Sequence, residues 1–313
     1  MPNEIKPVTL AEMSVQAPTD PKSPAEARGR YFNSGNAFNI ILDPVPDLVF
    51  SDEPVAALAD GTETGFIACD ISTDLGSTTP ATTPLILTRY ARINAGDTLA
   101  ADFNAAGSIW FVIQGSGTTE ADGQSITWST GDLFVLPGGA AATLSAADAD
   151  AVLWCVTNEP HVAFENTRAV ETADSAVDMV HFTAAEIDRQ IDKIYDVDVG
   201  TAAGIAVVFS SEKQLDRRNI TPTMTLAMNT LPPGGSQRGH RHNSVAVALV
   251  VEGDDCFSVV DGVRKNWAPW VTTVTPPESF HSHHNDGGKL AKFLIVQDGG
   301  LYYHARTMGF SFD

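Results

Sequence analysis

Two stretches decide the fold: Gly234-Gly235-Ser236-Gln237-Arg238-Gly239-His240-Arg241-His242 and Pro276-Pro277-Glu278-Ser279-Phe280-His281-Ser282-His283-His284-Asn285. In a strand, residues i and i+2 point to the same face, so His240 and His242 are expected to point together into a sheet interior. His281, on a strand folded back across them, completes a facial set of three. Neutral imidazoles suit iron, copper, zinc or nickel, and three protein ligands leave positions open for substrate. Of His283 and His284, one is expected beside the ligands and the other in solvent or packing.

Outward from these stretches the pattern is β. Before them run GIAVVFS and TMTLAMNTL; between and after them run VAVALVVEG, CFSVV, WVTTVTP, KLAKFLIVQ and LYYHAR. A similar set begins near Leu85, with PLILTRYARI, SIWFVIQGSG, QSITWS, DLFVLPGG and AVLWCVT, separated by Gly, Asp and Asn as in hairpins. The two sets are in register. Gly96, Gly115 and Pro137 match Gly234, Gly253 and Pro276 at offsets of 138, 138 and 139, which predicts a duplication. Between them, Thr183-Ala184-Ala185-Glu186 is a capping box, and Ile187, Ile191 and Ile194 follow at helical spacing. The spacing predicts one helix over 184–195 linking two β units. Residues 1–84, rich in Pro, Ser, Thr, Asp and Gly with short apolar runs at Phe38–Leu42 and Leu48–Phe50, read as an arm with a few edge strands.

Composition bounds the function. Of 313 residues 43% are hydrophobic and 19% charged, which is globular. The formal charge of −20 would be repelled by phosphate backbones and anionic lipid, which argues against nucleic-acid and membrane-surface roles. Cys69, Cys155 and Cys256 are sparse and far apart, which makes neither a disulfide framework nor a thiolate zinc site. The N-terminal MPNEIKPVTLAEM has no apolar run and no basic flank, and no stretch of about 20 apolar residues exists to span a bilayer. The expectation is a soluble, cytoplasmic protein.

The histidines and the glycine–proline skeleton resemble the cupin superfamily, whose members are small double-stranded β-helix barrels. The first cupin motif, G-x5-H-x-H-x3,4-E-x6-G, is met by Gly234, His240, His242 and Gly253, with Ala246 at the glutamate position. The second, G-x5-P-x-G-x2-H-x3-N, is met by Pro276, His281 and Asn285, with Trp270 and Glu278 at the glycine positions. The resemblance covers residues 85–160 and 205–305. It implies an all-β chain: an N-terminal arm (1–84), a first cupin barrel (85–165), a linker with a helix (166–204) and a second, metal-binding barrel (205–313). In the first barrel Gly96, Gly115, Gly131, Pro137 and Gly139 are in register, but the ligand positions hold Asp102, Asn104, Ser108 and Ala142, so that barrel is expected to be metal-free. Cupins commonly pair barrels or subunits through strand exchange, which implies a homo-oligomer.

Among cupins, the pattern is similar to the gentisate/salicylate ring-cleaving dioxygenases, which are also bicupins. The similarity lies in His240-Arg241-His242, Val250-Val251-Glu252-Gly253, Val260-Asp261-Gly262 and His281-Ser282-His283-His284-Asn285. The resemblance implies an Fe(II) centre on His240, His242 and His281, with Mn, Ni or Zn as other candidates, and a small-molecule substrate with O2. It places His283 facing the substrate as a proton-transfer residue. Three features depart from those enzymes. Their metal usually sits in the N-terminal cupin. Their carboxylate-binding arginine position is Ala248 here, and their substrate-contacting glutamine position is Asn229. The loss of the arginine points to a less acidic phenol, a diketone or another enolisable chelator. Arg238 is the nearest candidate to replace that arginine, and Trp267, Trp270, Tyr302, Tyr303 and His304 are candidates for the barrel mouth. Two further readings stay open on these residues: a Zn, Mn or Ni lyase, isomerase or hydrolase, and a non-catalytic binding cupin.

Overall fold

The computed structural model describes residues 9–198 and 204–312. Residues up to Pro44 form a unit of their own, containing a 3-10 turn at Leu10–Glu12 and the short helix α1 (Pro24–Ala27) capped by Ser23. The run Phe38–Leu42 in this unit is irregular rather than a strand, and Ile41 is 94% exposed.

From Val45 onward, two β units follow one another. β1 (Leu48–Phe50), α2 (Asp52–Leu58) and β2 (Gly65–Ala68) precede the first. It comprises β3 (Leu87–Ile93), β4 (Thr98–Ala101), β5 (Gly107–Gln114), β6 (Ser116–Ala121), β7 (Gln124–Ser129), β8 (Leu133–Pro137), β9 (Ala142–Ala146) and β10 (Ala151–Thr157). Then come α3 (Glu159–Phe164), β11 (Val180–Phe182) and α4 (Ala184–Tyr195). The second unit holds β12 (Ile205–Phe209), β13 (Thr225–Leu231), β14 (Ser236–His242), β15 (Ala246–Glu252), β16 (Cys256–Val260), β17 (Val263–Asn266), β18 (Thr272–Thr275), β19 (His281–Asn285) and β20 (Ala291–Gln297). α5 (Gly299–Ala305) and β21 (Phe310–Phe312) close the chain.

The sheets confirm the repeat. One six-stranded sheet runs β11-β8-β5-β10-β3-β2 and the other β1-β18-β15-β20-β13-β12. The equivalent strands β3, β5, β8 and β10 are matched by β13, β15, β18 and β20, which start 138, 139, 139 and 140 residues later (Leu87 to Thr225, Gly107 to Ala246, Leu133 to Thr272, Ala151 to Ala291). Each six-stranded sheet is closed by a smaller one, β4-β9-β6-β7 or β17-β16-β19-β14-β21. The chain is thus an all-β pair of cupin-type barrels.

In the first six-stranded sheet β3, β5 and β10 are buried along nearly their whole length and lack alternation, whereas β13 and β20 of the second alternate buried and half-buried residues. Ile109, Phe111 and Ile113 of β5 join a core shared between the barrels, with Leu226, Val247, Leu249, Leu294 and Val296 from the second; Trp110 and Val112 point into the first barrel. Tyr90 and Trp154 cross this shared core, and the Thr272 hydroxyl lies 2.7 Å from the Tyr90 hydroxyl and accepts from the Trp154 indole at 2.9 Å. α4 forms as predicted: Thr183 accepts from the Glu186 N–H, and Ile187 and Ile191 are buried.

Two sequence expectations are corrected. The run Leu301-Tyr302-Tyr303-His304-Ala305 is helical, because β20 ends at Gln297 and the chain turns at Asp298 into a helix opened by the buried pair Gly299-Gly300, to finish at Arg306 in a left-handed conformation. Trp270 is not at a barrel mouth; it packs on Phe111 with ring centroids 6.4 Å apart, in the shared core.

Candidate metal centre

His240 and His242 end β14 and His281 opens β19, directly across from His240. β-pleating turns all three inward, and each is 4% exposed or less. Their metal-ligating nitrogens lie within 4.8 Å of one another, and among the described residues this is the one such cluster of His, Cys, Asp and Glu.

The hydrogen bonds orient the rings. The Nδ1 of His240 lies 2.8 Å from the Arg238 carbonyl, that of His242 2.8 Å from the Ser244 carbonyl, and that of His281 2.9 Å from the Ser279 carbonyl. A carbonyl only accepts, so each Nδ1 carries the hydrogen and each Nε2 keeps its lone pair. Burial, the largest cause, lowers the pKa of all three, that of His281 to about 3. The set is therefore three neutral imidazoles with converging lone pairs, a donor set that fits a divalent transition metal.

Ala246 and Ala248 are buried, and the pairing of β15 with β20 places Ala246 beside Gln297 and Ala248 beside Ile295. No carboxylate thus approaches from the glutamate position of the first motif. Instead the Gln297 amide nitrogen lies 3.1 Å from His242 Nε2 and donates to its lone pair. Sequence reasoning missed Gln297. The signal was present: the odd-numbered residues of β20, Ala291, Phe293 and Ile295, form an apolar inner row that ends on a polar amide. Phe310 and Phe312 were also missed. β21 pairs with β14, setting Phe312 opposite His240 and Phe310 opposite His242, and the Phe310 ring stacks on His240 with centroids 5.1 Å apart.

His283, 7% exposed, lies beside His281 with ring centroids 5.7 Å apart. Its Nδ1 is 2.8 Å from the Ser258 hydroxyl, which in turn accepts from the Trp267 indole at 2.8 Å. Burial and the neighbouring histidines lower its pKa well below the ordinary value. Trp267 therefore props His283 from within the barrel. His284 points away and stacks on Phe257. Asn229, on β13, faces the same interior, paired with Phe293. Arg238 is exposed and lies over the Phe312 ring at 4.7 Å, outside the ligand cluster. His304 is exposed on α5 and is not brought to the centre.

The two glycine positions of the second motif carry a further finding. Trp270 (φ 64°) and Glu278 (φ 63°) adopt the left-handed conformation of the glycines they replace, which Gly131 (φ 87°) and Gly139 (φ 91°) keep in the first barrel. The backbone of the motif outlasts its side chains.

No family model matches the chain. The chain is 31% identical over 90 residues to a gentisate 1,2-dioxygenase of Ralstonia sp., covering 29% of this chain and 25% of that one. It is 33% identical over 97 residues to a 1-hydroxy-2-naphthoate 1,2-dioxygenase of Nocardioides sp. strain KP7, covering 30% of this chain and 25% of that one. The matched part thus spans about a quarter of the length of these curated relatives. In structure the likeness is nearly complete: a salicylate 1,2-dioxygenase from Pseudaminobacter salicylatoxidans superposes with TM-score 0.72 at 13% identity, covering 88% of this chain and 91% of that one. The bicupin fold is shared, and the chain resembles the gentisate/salicylate dioxygenase group.

Proposed function

We propose that this chain is a three-histidine cupin dioxygenase that uses Fe(II) and O2 to cleave an aromatic or enolisable chelating substrate. The observation that carries the reading is the donor set: three neutral imidazoles locked by their Nδ1 hydrogen bonds, with Ala246 where a fourth, anionic ligand would stand. The names of the curated relatives, gentisate and 1-hydroxy-2-naphthoate dioxygenases, support the same reaction class. Ferrous iron on neutral ligands keeps its full charge and would supply a site where O2 and a chelating anion meet.

The chain's own residues do the rest. The Arg238, Ser244 and Ser279 carbonyls hold the three rings in the ligating tautomer. Phe310 and Phe312 shield His240 and His242 from water. His283 is the proton-transfer residue; with Ser258 donating to Nδ1, its proton rides on Nε2. Three buried free cysteines accord with a reducing compartment, and we place the protein in the cytoplasm.

The test is anaerobic Fe(II) reconstitution followed by oxygen-electrode measurements over hydroxybenzoates, hydroquinones and β-diketones. O2 uptake is expected to need both iron and substrate and to vanish in His281→Ala. A chain that binds metal but consumes no O2 with any of them would overturn the reading in favour of a non-oxidative cupin enzyme.

A further inference from the structure

A cavity of about 270 Å3 lies where α3 and the linker after it meet the residues that lead into β13. Its apolar wall is Val162 of α3, Val177 of the linker and Pro222; Val162 and Val177 are buried. The charged and amide side chains lining it are Asn158, His161, Glu165 and Arg168. None of these residues belongs to the metal-ligating cluster. The volume falls just below the roughly 300–1,000 Å3 of drug-sized ligand sites, so it suits a smaller molecule.

Arg168 sits on a loop that is pinned on both sides of it. Asn104 donates to the Thr167 carbonyl and accepts from the Ala169 N–H, both at 3.0 Å. Asn104 stands at the motif position that His242 occupies in the second barrel, so a ligand position there fixes a loop here. The Arg168 side chain is exposed, and among the described residues it has no ion pair or hydrogen bond. Glu165, three residues earlier, lies 3.2 Å from His161 instead. Asn158 is 3% exposed. Its Oδ1 accepts from the Ala106 N–H at 2.8 Å, and among the described residues its Nδ2 has no acceptor. A buried amide donor left so is costly unless a ligand or water satisfies it. A guanidinium fork and an amide N–H beside an apolar wall are the groups that recognise a carboxylate on a short hydrocarbon.

We propose that this cavity is a second ligand site, separate from the metal centre, that takes a small aliphatic monocarboxylate. Arg168 pairs with the carboxylate, Asn158 Nδ2 donates to it, and Val162, Val177 and Pro222 enclose the hydrocarbon. A dicarboxylate is disfavoured, because Glu165 lines the same cavity and would repel the second charge. A molecule held there touches both barrels. α3 follows β10 of the first, and Pro222 and Thr223 precede β13 of the second. The site does not depend on the dioxygenase reading.

The test is calorimetric titration of the Fe(II)-loaded protein under argon with isovalerate, and with isoamyl alcohol as its uncharged counterpart. Isovalerate has no hydroxyl beside its carboxylate and so cannot chelate iron as a hydroxy acid does. It should bind the wild type once per chain, and the alcohol about tenfold more weakly or worse. In Arg168→Ala, isovalerate binding should weaken about tenfold or more. An exposed arginine without a partner can be removed with the fold intact. Arg168→Lys should recover part of the affinity, because charge returns without the bidentate fork. His281→Ala should bind isovalerate as the wild type does. Unchanged affinity in Arg168→Ala, equal affinity for the alcohol, or no isovalerate binding by the wild type at millimolar concentration overturns the proposal. So does loss of binding in His281→Ala, which would put the ligand on the metal. Arginine-dependent binding without O2 uptake on any substrate keeps this site and removes the dioxygenase.

Discussion

The two barrels share strand order and differ in what fills them. The first is filled with side chains: Trp110, Trp128 and Phe134 stack in its interior with Leu144, Leu153 and Cys155 around them. Its motif positions have been turned to structural use. Ser108 accepts from the Trp110 indole at 2.7 Å, and Asn104 staples the loop at Thr167 and Ala169. Arg89 lies over Phe103 at 4.4 Å and pairs with Glu159 at 2.5 Å. Among the described residues, the second barrel's own buried cluster is the smaller set Leu231, Cys256, Ala291 and Phe293, with Trp267 and Ile295 packed against it, and its inner face also carries the buried His240, His242, His281 and His283. A duplicated fold has one barrel to spend on stability and one to open for chemistry. The shared core between them lets the packed barrel support the open one.

The comparison breaks most sharply at the ligands. His281→Ala should take metal content from about one per chain to near zero, measured by metal analysis after dialysis, whereas Asn104→Ala in the first barrel should leave it unchanged. A wild-type content near two would mean that the first barrel is not merely packing.

Ala246→Glu tests the openness of the second barrel. The new carboxylate would displace Gln297, occupy a coordination position and favour harder manganese. Metal content should persist while O2 consumption falls to a small fraction of wild type. Full activity would show that the position is not used in turnover.

Trp110→Ala tests the first barrel as support. It should cost about 3–5 kcal/mol, read as a lowered urea midpoint, because a fully buried indole leaves a cavity its stacked neighbours cannot fill. The folded fraction should still bind one metal. Loss of metal from folded protein would mean that the barrels are coupled through more than stability.

Glu278→Gly sharpens the comparison at a single backbone position. The backbone N–H of Glu278 donates to the His242 carbonyl at 2.7 Å and would be kept. Relief of the left-handed strain should raise stability by roughly 1 kcal/mol, moderated by the entropy glycine adds to the unfolded chain. Gly139→Glu in the first barrel should be far worse, since its Cβ would lie 1.9 Å from the Val170 carbonyl oxygen.

The smallest effect is in Asp298, where β20 leaves the barrel. Burial raises its pKa to about 7, although it accepts from the Val245 N–H at 2.9 Å. A raised folded pKa stabilises below the unfolded value near 3.8 and loses that contribution as pH rises through about 7. Asp298→Asn, which keeps an acceptor for Val245, should therefore gain stability relative to wild type between pH 4 and pH 7. Parallel pH profiles of the urea midpoint would refute this.

The parts legible in the sequence were those set by local periodicity. The His-x-His pair follows from the two-residue strand period, the helix at Ala184–Tyr195 from its capping box, and the duplication from glycine and proline spacing, because each depends on residues near one another in the chain. Trp270 and Glu278 hid two left-handed turns, since the conformation is imposed by the neighbouring strands rather than by those side chains. LYYHAR read as a strand because its aromatic content matches either state, and only the turn after β20 made it helical. Gln297 and Phe310 lie between 16 and 70 residues from the clustered histidines in sequence, and no local rule links them. Strand pairing brings both to the centre. The sequence by itself determined the β pattern, its repeat and the shared face of His240 and His242, because strand period and turn chemistry are short-range. Which barrel is full, which is open and what faces the opening were decided by the tertiary structure, because cavity and charge depend on side chains that meet only when distant strands pair.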